Sequence, residues 1–311
     1  MYFTVKTKSV VLGSINYDIV AKVNNLPVKG ETITGLSVDK FVGGKGSNQA
    51  VQMALLGLET HFIGRVGNDD QGQAVRKALA DTGVDVRYLY TSENLGTGCA
   101  IIVVDSRGDN TLVYVPGANK DLTIGLINNA RELIDNADVL VTQTEINIDA
   151  MSYGLSLAKK AGVTTVLTPG PAVPLDDEIF PMLDFIVPNE TESAAYTGIS
   201  QKGIPESEWN RKNAEWFLRK GVKNVCITLG EKGVYFFNGE VEYSVPVFTV
   251  NSVDATAAGD AFIGGLTFGL ATKQPLLKCL QTGNACGALA TTILGAQNSL
   301  HDIDSVQKLL S

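Results

Sequence analysis

The feature that most constrains this chain is an alternation of short β-rich runs with longer helical ones. Val10-Val11-Leu12, Phe62-Ile63, Val139-Leu140-Val141, Thr165-Val166-Leu167, Phe185-Ile186-Val187 and Val225-Cys226-Ile227-Thr228 read as strands. Between them, helical patterns run over Gln71 to Thr82, Met151 to Ala161 and Asn213 to Lys220. Parallel strands need a crossover, and a helix is the usual one. The alternation therefore predicts a mostly parallel sheet covered by helices on both faces. Such sheets hold ligands at the C-terminal ends of their strands, and Asn16, Glu145 and Asn189 all follow predicted strands.

Two segments break the pattern, residues 17–42 and 98–118. In the second, Cys99 to Val104 and Thr111 to Val115 flank the turn Asp105-Ser106-Arg107-Gly108-Asp109, a hairpin signal. The plain reading is an antiparallel edge of the main sheet. No internal repeat or low-complexity linker is visible, and one domain over residues 1–311 is expected.

The run Asp254-Ala255-Thr256-Ala257-Ala258-Gly259-Asp260 precedes the apolar helical stretch Ala261 to Leu266. A helix starting at Ala257 or Ala258 would point its free N–H groups at an anion, and small side chains would let a phosphate come close. Asp260 would sit in the first turn, able to take a proton. A plain capped helix accounts for the same residues, since Asp254 and Thr256 are ordinary caps. A second run, Gly43-Gly44-Lys45-Gly46-Ser47-Asn48-Gln49-Ala50, is a glycine turn entering a helix. Gly46 follows the lysine where a Walker A loop needs Ser or Thr, and no G-x-G-x-x-G is present. Lys45 and Asn48 beside glycines suit a polyhydroxyl ligand.

Together these two runs resemble the signatures of the ribokinase family of carbohydrate kinases (PfkB type), and the resemblance spans essentially the whole chain. Gly13-Ser14-Ile15-Asn16-Tyr17-Asp18, Pro116-Gly117-Ala118-Asn119 and Gly295-Ala296-Gln297-Asn298-Ser299 are similar to family details as well. Ala255 stands where Thr is common. The resemblance implies a three-layer α/β/α sandwich with a small β-sheet lid built from the two irregular segments. It implies Asp260 as catalytic base, with the backbone of Ala257, Ala258 and Gly259 as anion hole. Asn16, Asp18, Gly44, Lys45, Asn48 and Glu145 match sugar-binding positions. Asn189, Thr228, Leu229, Gly230, Glu231, Lys232, Gly233, Gly259 and Asn284 match the ATP site. Asn189 and Glu192 belong to an N-x-x-E motif associated indirectly with Mg²⁺. Its plain reading is a helix cap, as a hairpin turn is that of Thr228 to Gly233. Asp254, Thr256, Ala290, Ile293, Gly295 and Ser299 match a K⁺ site.

The expected reaction is ATP-dependent phosphorylation of a sugar, ribose first. Kinases for deoxyribose, another sugar or a nucleoside stay open, with Tyr17 as a wall for a base, as does a non-catalytic sugar-binding protein. Related kinases often pair through their lids, so a homodimer is expected. The apolar residues Ile102, Val104 and Val113 are expected to need that cover.

Composition narrows the partners. A chain of 311 residues can bury a large core, and 44% apolar residues fit a globular protein. A net charge of -8 without blocks of like charge argues against nucleic acid. Val10 to Ile15 is too short for a signal-peptide core, and no stretch approaches a membrane span, so a cytoplasmic location is expected. Four scattered cysteines without a C-x-x-C pair read as free thiols. Two histidines at unrelated sites make a zinc site improbable.

Overall fold

A computed structural model describes residues 7–311. The chain opens with β1 (Lys8–Leu12), β2 (Asn16–Lys22), β3 (Ser37–Gly43), α1 (Lys45–Leu55), β4 (Glu59–Gly67) and α2 (Asp70–Asp81). It continues through β5 (Asp85–Ser92), β6 (Cys99–Val104), β7 (Asn110–Val115), α3 (Ile124–Asn129), α4 (Arg131–Asp135) and β8 (Val139–Gln143). Next come α5 (Ile148–Ala161), β9 (Thr164–Thr168), β10 (Phe185–Ile186), α6 (Glu190–Thr197), α7 (Glu206–Arg219) and β11 (Asn224–Thr228). The last elements are β12 (Val234–Phe237), β13 (Glu242–Val245), α8 (Ala258–Ala271), α9 (Leu276–Ala290) and α10 (Ile303–Leu310).

The nine-stranded sheet runs β13-β12-β11-β10-β9-β8-β1-β4-β5. Its strands are parallel from β11 to β5, as the alternation predicts. Successive side chains of a strand face opposite ways, so a run such as Val10-Val11-Leu12 needs a core on each side. Val11, Phe62, Val141 and Val166 pack with Met53, Ile263 and Leu280 in one cluster. Val10, Leu12, Ile63, Leu140 and Leu167 pack with Met151, Leu155 and Phe217 in the other. This is the expected three-layer sandwich. The tight pairing of α8 with α9 depends on glycine: a Cβ at Gly265 would stand 2.7 Å from the Thr282 carbonyl oxygen.

The main sheet ends in an antiparallel edge, in keeping with the plain reading of Thr228 to Gly233 as a hairpin turn. β12 pairs antiparallel with both β11 and β13, so Thr228 to Gly233 is a hairpin loop at the end of a parallel strand. The two irregular segments depart from the main-sheet reading. They form a separate four-stranded sheet, β3-β2-β6-β7. The expected turn is present, with the backbone N–H groups of Arg107 and Asp109 donating to Asp105 Oδ1. Among the described residues, no helix is long and apolar enough to cross a membrane. All four cysteines are free.

Candidate active site

The site forms where α1 and α8 start beside the C-terminal ends of β1 and β8. Gly44 caps α1 with φ 94, and a Cβ there would lie 2.9 Å from the Ile15 backbone. Only glycine lets this turn lie so close against the chain leaving β1. The seam is stitched by the Ser47 N–H donating to the Ser14 carbonyl at 2.9 Å. Ser14 Oγ donates to Glu145, which the Lys45 N–H also approaches at 3.4 Å.

Helix α8 begins at Ala258, and Ala257 caps it in the left-handed region at φ 60. A non-glycine residue there costs roughly 1–2 kcal/mol, strain of the kind that gathers at functional turns. The anion-hole expectation needs one adjustment. The Ala258 N–H donates to the Ala255 carbonyl at 3.2 Å, while those of Ala257, Gly259 and Asp260 have no partner among the described residues. A Cβ at Gly259 would meet nothing within 4 Å, so the turn is uncrowded at that position.

Both Asp260 oxygens are held from α1. Asn48 Nδ2 donates to Oδ2 at 2.9 Å and Gln49 Nε2 to Oδ1 at 2.9 Å. Burial pushes the Asp260 carboxyl above its ordinary pKa, while Lys45 and these two amides pull it back. Glu145 is likewise raised by burial, against the pull of Lys45. Burial alone would lower the Lys45 ammonium, but the carboxylates of Asp260, Glu145 and Glu192 outweigh it and raise its pKa. One cation thus links the α1 turn, the end of β8, the first turn of α8 and the start of α6.

Asn16 and Asp18 reach the site from β2. Asn119 fixes Asn16 by donating to its Oδ1 at 2.9 Å, while accepting from the Ile15 N–H at 3.0 Å. Asp18 accepts from the Ala100 N–H at 3.0 Å, and burial raises its pKa to about 6. Tyr17 points to the other face of β2 and packs on the main core, which removes it as a wall for a base.

Asn189 and Glu192 form a complete capping box at the start of α6. Glu192 Oε2 accepts the Asn189 N–H at 2.9 Å, and Oε1 lies against Gly170. Thr228 bridges to Asn189, which places the Thr228 to Gly233 loop alongside. Lys232 is paired with Glu206. Asn284 is buried and its amide donates to the carbonyls of Val245 and Pro246, so its N–H groups serve the loop after β13. In the expected cation loop, Asp254 accepts from the Thr256 N–H, the Thr256 hydroxyl and the Gly295 N–H at 2.9, 2.7 and 2.8 Å. Ala290 and Ser299 are buried nearby in sequence, and Ile293 is exposed.

Several residues of this site escape sequence reasoning. Ser14, Gln49 and Asn119 lie inside runs that stand out for other residues, and Gln143 closes β8 two positions before Glu145. Tyr114 carried no signal beyond strand alternation. Its hydroxyl is buried, with burial and Glu145 raising its pKa, and the amides of Asn119 and Asn16 close enough to act the other way.

Comparison with known proteins agrees with this geometry. The profile for "pfkB family carbohydrate kinase" matches residues 6–303. A ribokinase of Staphylococcus aureus is 36% identical over 97% of this chain and 99% of its own length. A deoxyribokinase of Salmonella typhi is 31% identical over 97% and 98%. The solved structure of Arabidopsis thaliana ribokinase complexed with ribose and ATP superimposes with a TM-score of 0.92 at 32% identity, covering 98% of this chain and 99% of that one. A family profile spanning nearly the whole chain, on a fold and site of this form, shows that the chain belongs to the pfkB family of carbohydrate kinases.

Proposed function

We propose that this chain is an ATP-dependent ribokinase, moving the γ-phosphoryl group of ATP to the primary 5-hydroxyl of D-ribose. The observation that carries the reading is the 2.9 Å hydrogen bond from Asn48 to Asp260. It joins a helix start suited to a polyol to one suited to an anion. The ribokinase relatives reported above, one with ribose and ATP bound, support the same substrates.

Asn16, Asp18, Gly44, Lys45, Asn48 and Glu145 hold the sugar. The phosphates lie against α8 and the Asn189 turn, with the nucleotide along Thr228 to Gly233 and beside Asn284. Asp260 takes the hydroxyl proton as the sugar oxygen attacks the γ-phosphorus, and the bond to the bridging oxygen breaks to release ADP. Charge builds on the transferring group. The free N–H groups of Ala257 and Gly259 and the Lys45 ammonium meet it there. Glu192 Oε2 is taken by the Asn189 N–H, while Oε1 accepts no hydrogen bond among the described residues, which suits a hydrated Mg²⁺; such an ion would neutralise phosphate charge when bound. The loop tied by Asp254 offers carboxylate, hydroxyl and carbonyl oxygens, a hard donor set suited to K⁺ at Asp254, Thr256, Ala290, Ile293, Gly295 and Ser299. The protein works as a cytoplasmic homodimer, with residues 17–42 and 98–118 as its lid.

The deoxyribokinase relative supports a second reading, in which deoxyribose is the acceptor. A phosphorylation screen with ATP against ribose, deoxyribose, fructose, fructose phosphates and nucleosides decides between them. Ribose should give the highest kcat/KM, and preference for a nucleoside or a sugar phosphate would overturn the proposal. Asp260→Asn should retain sugar and nucleotide binding and lose roughly 10²–10⁴-fold in kcat.

A further inference from the structure

Behind Asp260 lies a second layer of amides that the proposed reaction does not use. Gln49 and Gln143 are both fully buried. Gln143 Nε2 donates to Gln49 Oε1 at 2.6 Å, and Gln49 Nε2 donates to Asp260 Oδ1 at 2.9 Å. Room for Gln143 is kept by Gly13, where a Cβ would stand 2.3 Å from Gln143 Oε1.

The polarity of this chain is forced. An ionised carboxylate only accepts, so Gln49 must turn its N–H toward Asp260. Its carbonyl then faces Gln143, which must answer with a donor. A flip at either glutamine would set oxygen against oxygen. A carboxylate torsion is otherwise broad and two-fold. With Asn48 on Oδ2 and Gln49 on Oδ1, Asp260 has one orientation left.

We infer that Gln143 and Gln49 form an amide relay that orients the Asp260 carboxylate for proton abstraction, with both glutamines as positioning residues. The inference rests on Asp260 being the base. The charged groups that face Asp260 are Lys45 on α1 and Glu145 beyond β8, with Glu192 of α6 on the far side of Lys45. None of them touches the relay through a hydrogen bond among the described residues. Removing Gln49 takes away a donor to the charged form, so the carboxylate should hold its proton more tightly.

The test measures kcat, sugar KM, ATP dissociation constant and the pH profile of kcat for Gln49→Leu, Gln143→Leu and the double variant. The acceptor is the sugar that gives the fastest turnover. Gln49→Leu should lower kcat about ten-fold with KM and ATP binding nearly unchanged, and move the acid limb of kcat upward by about one pH unit. Gln143→Leu should act in the same direction and less. Adding it to Gln49→Leu should cost nothing more, because a relay fails once at any link. Losses that multiply in the double variant, or an unmoved acid limb in Gln49→Leu, would overturn the relay. Should Gln49→Leu not fold, Gln49→Met and Gln143→Leu carry the same comparison. Asp260→Asn measured alongside separates the two ideas: near-normal turnover there sinks the base assignment, whereas a large loss there with unaffected glutamine variants sinks the relay alone.

Discussion

Asp18 is held in its acid form more firmly than a free aspartate. Burial lifts its pKa from 3.8 to about 6, with the Ala100 N–H pulling the other way and the Glu145 carboxylate adding to the rise. The folded chain therefore binds this proton more tightly than the unfolded chain does. Stability from this group is complete below about pH 4 and is lost as pH rises through about 6. Asp18→Asn should accordingly raise the Tm at pH 7, and the gain should vanish near pH 4. A variant equally or less stable at pH 7 would mean that the charge carries no such cost. Ala100 pairs with Tyr114 on the neighbouring strand, so Asp18, Ala100 and Tyr114 share one face of the small sheet. The Asn119 and Asn16 amides lie near this buried hydroxyl without completing a hydrogen bond to it, and a sugar hydroxyl would supply one. Tyr114→Phe should raise the sugar KM roughly 2–10-fold with kcat little changed. Unchanged steady-state constants would show that this hydroxyl does not meet the sugar.

At the scale of elements, the loop before α8 and the loop after α9 are tied through one carboxylate. Asp254 reaches both Thr256 and Gly295, and the Val253 and Asp254 N–H groups donate to the Thr291 carbonyl. Burial alone would raise the Asp254 carboxyl, but the donors of Gly295 and Thr256 lower its pKa, so it stays ionised when the pH is neutral. A cation bound here would stiffen the turn that presents the Ala257 and Gly259 N–H groups. Replacing Na⁺ by K⁺ at fixed ionic strength should raise activity, and Asp254→Ala should abolish the difference. Equal rates in Na⁺, K⁺ and a bulky organic cation would rule out a functional site. Much of this scale was legible beforehand. The β–α alternation, the β6–β7 hairpin and the start of α8 follow from local pattern, which sequence records directly, whereas the separation of that hairpin from the main sheet does not. Gln143, Asn119 and Tyr114 were not legible, because their roles depend on which strands lie side by side. Nor could the sequence show that the Ala258 N–H is occupied and those of its neighbours are not, since one backbone torsion at Ala257 decides it.

At the scale of the whole molecule, the small sheet leaves apolar side chains exposed among the described residues. Strand alternation places Ile102 and Val104 on the Asp18 side, where they are half-buried. Ile101 and Val113 pair on the opposite side, as do Cys99 and Val115. Val38, Ile101, Val113 and Val115 are 60%, 46%, 56% and 43% exposed. We propose that these four apolar side chains on one side of a thin sheet form an association surface, which a second copy would cover symmetrically. Light scattering at micromolar concentration should give about twice the 33.0 kDa chain mass. Val113→Asp should return the value to one chain, and a fully active wild-type monomer would refute the pairing. The bond between Asn48 and Asp260 has a further consequence, for the order of folding. Its partners stand 212 positions apart, so it closes a loop of about two-thirds of the 311-residue chain. Contacts across such distances in sequence form late. Strands and helices can therefore be in place in a nascent or partly refolded molecule while Asp260 still lacks its neighbours from α1, and an activity that depends on that carboxylate would be the last property the chain acquires.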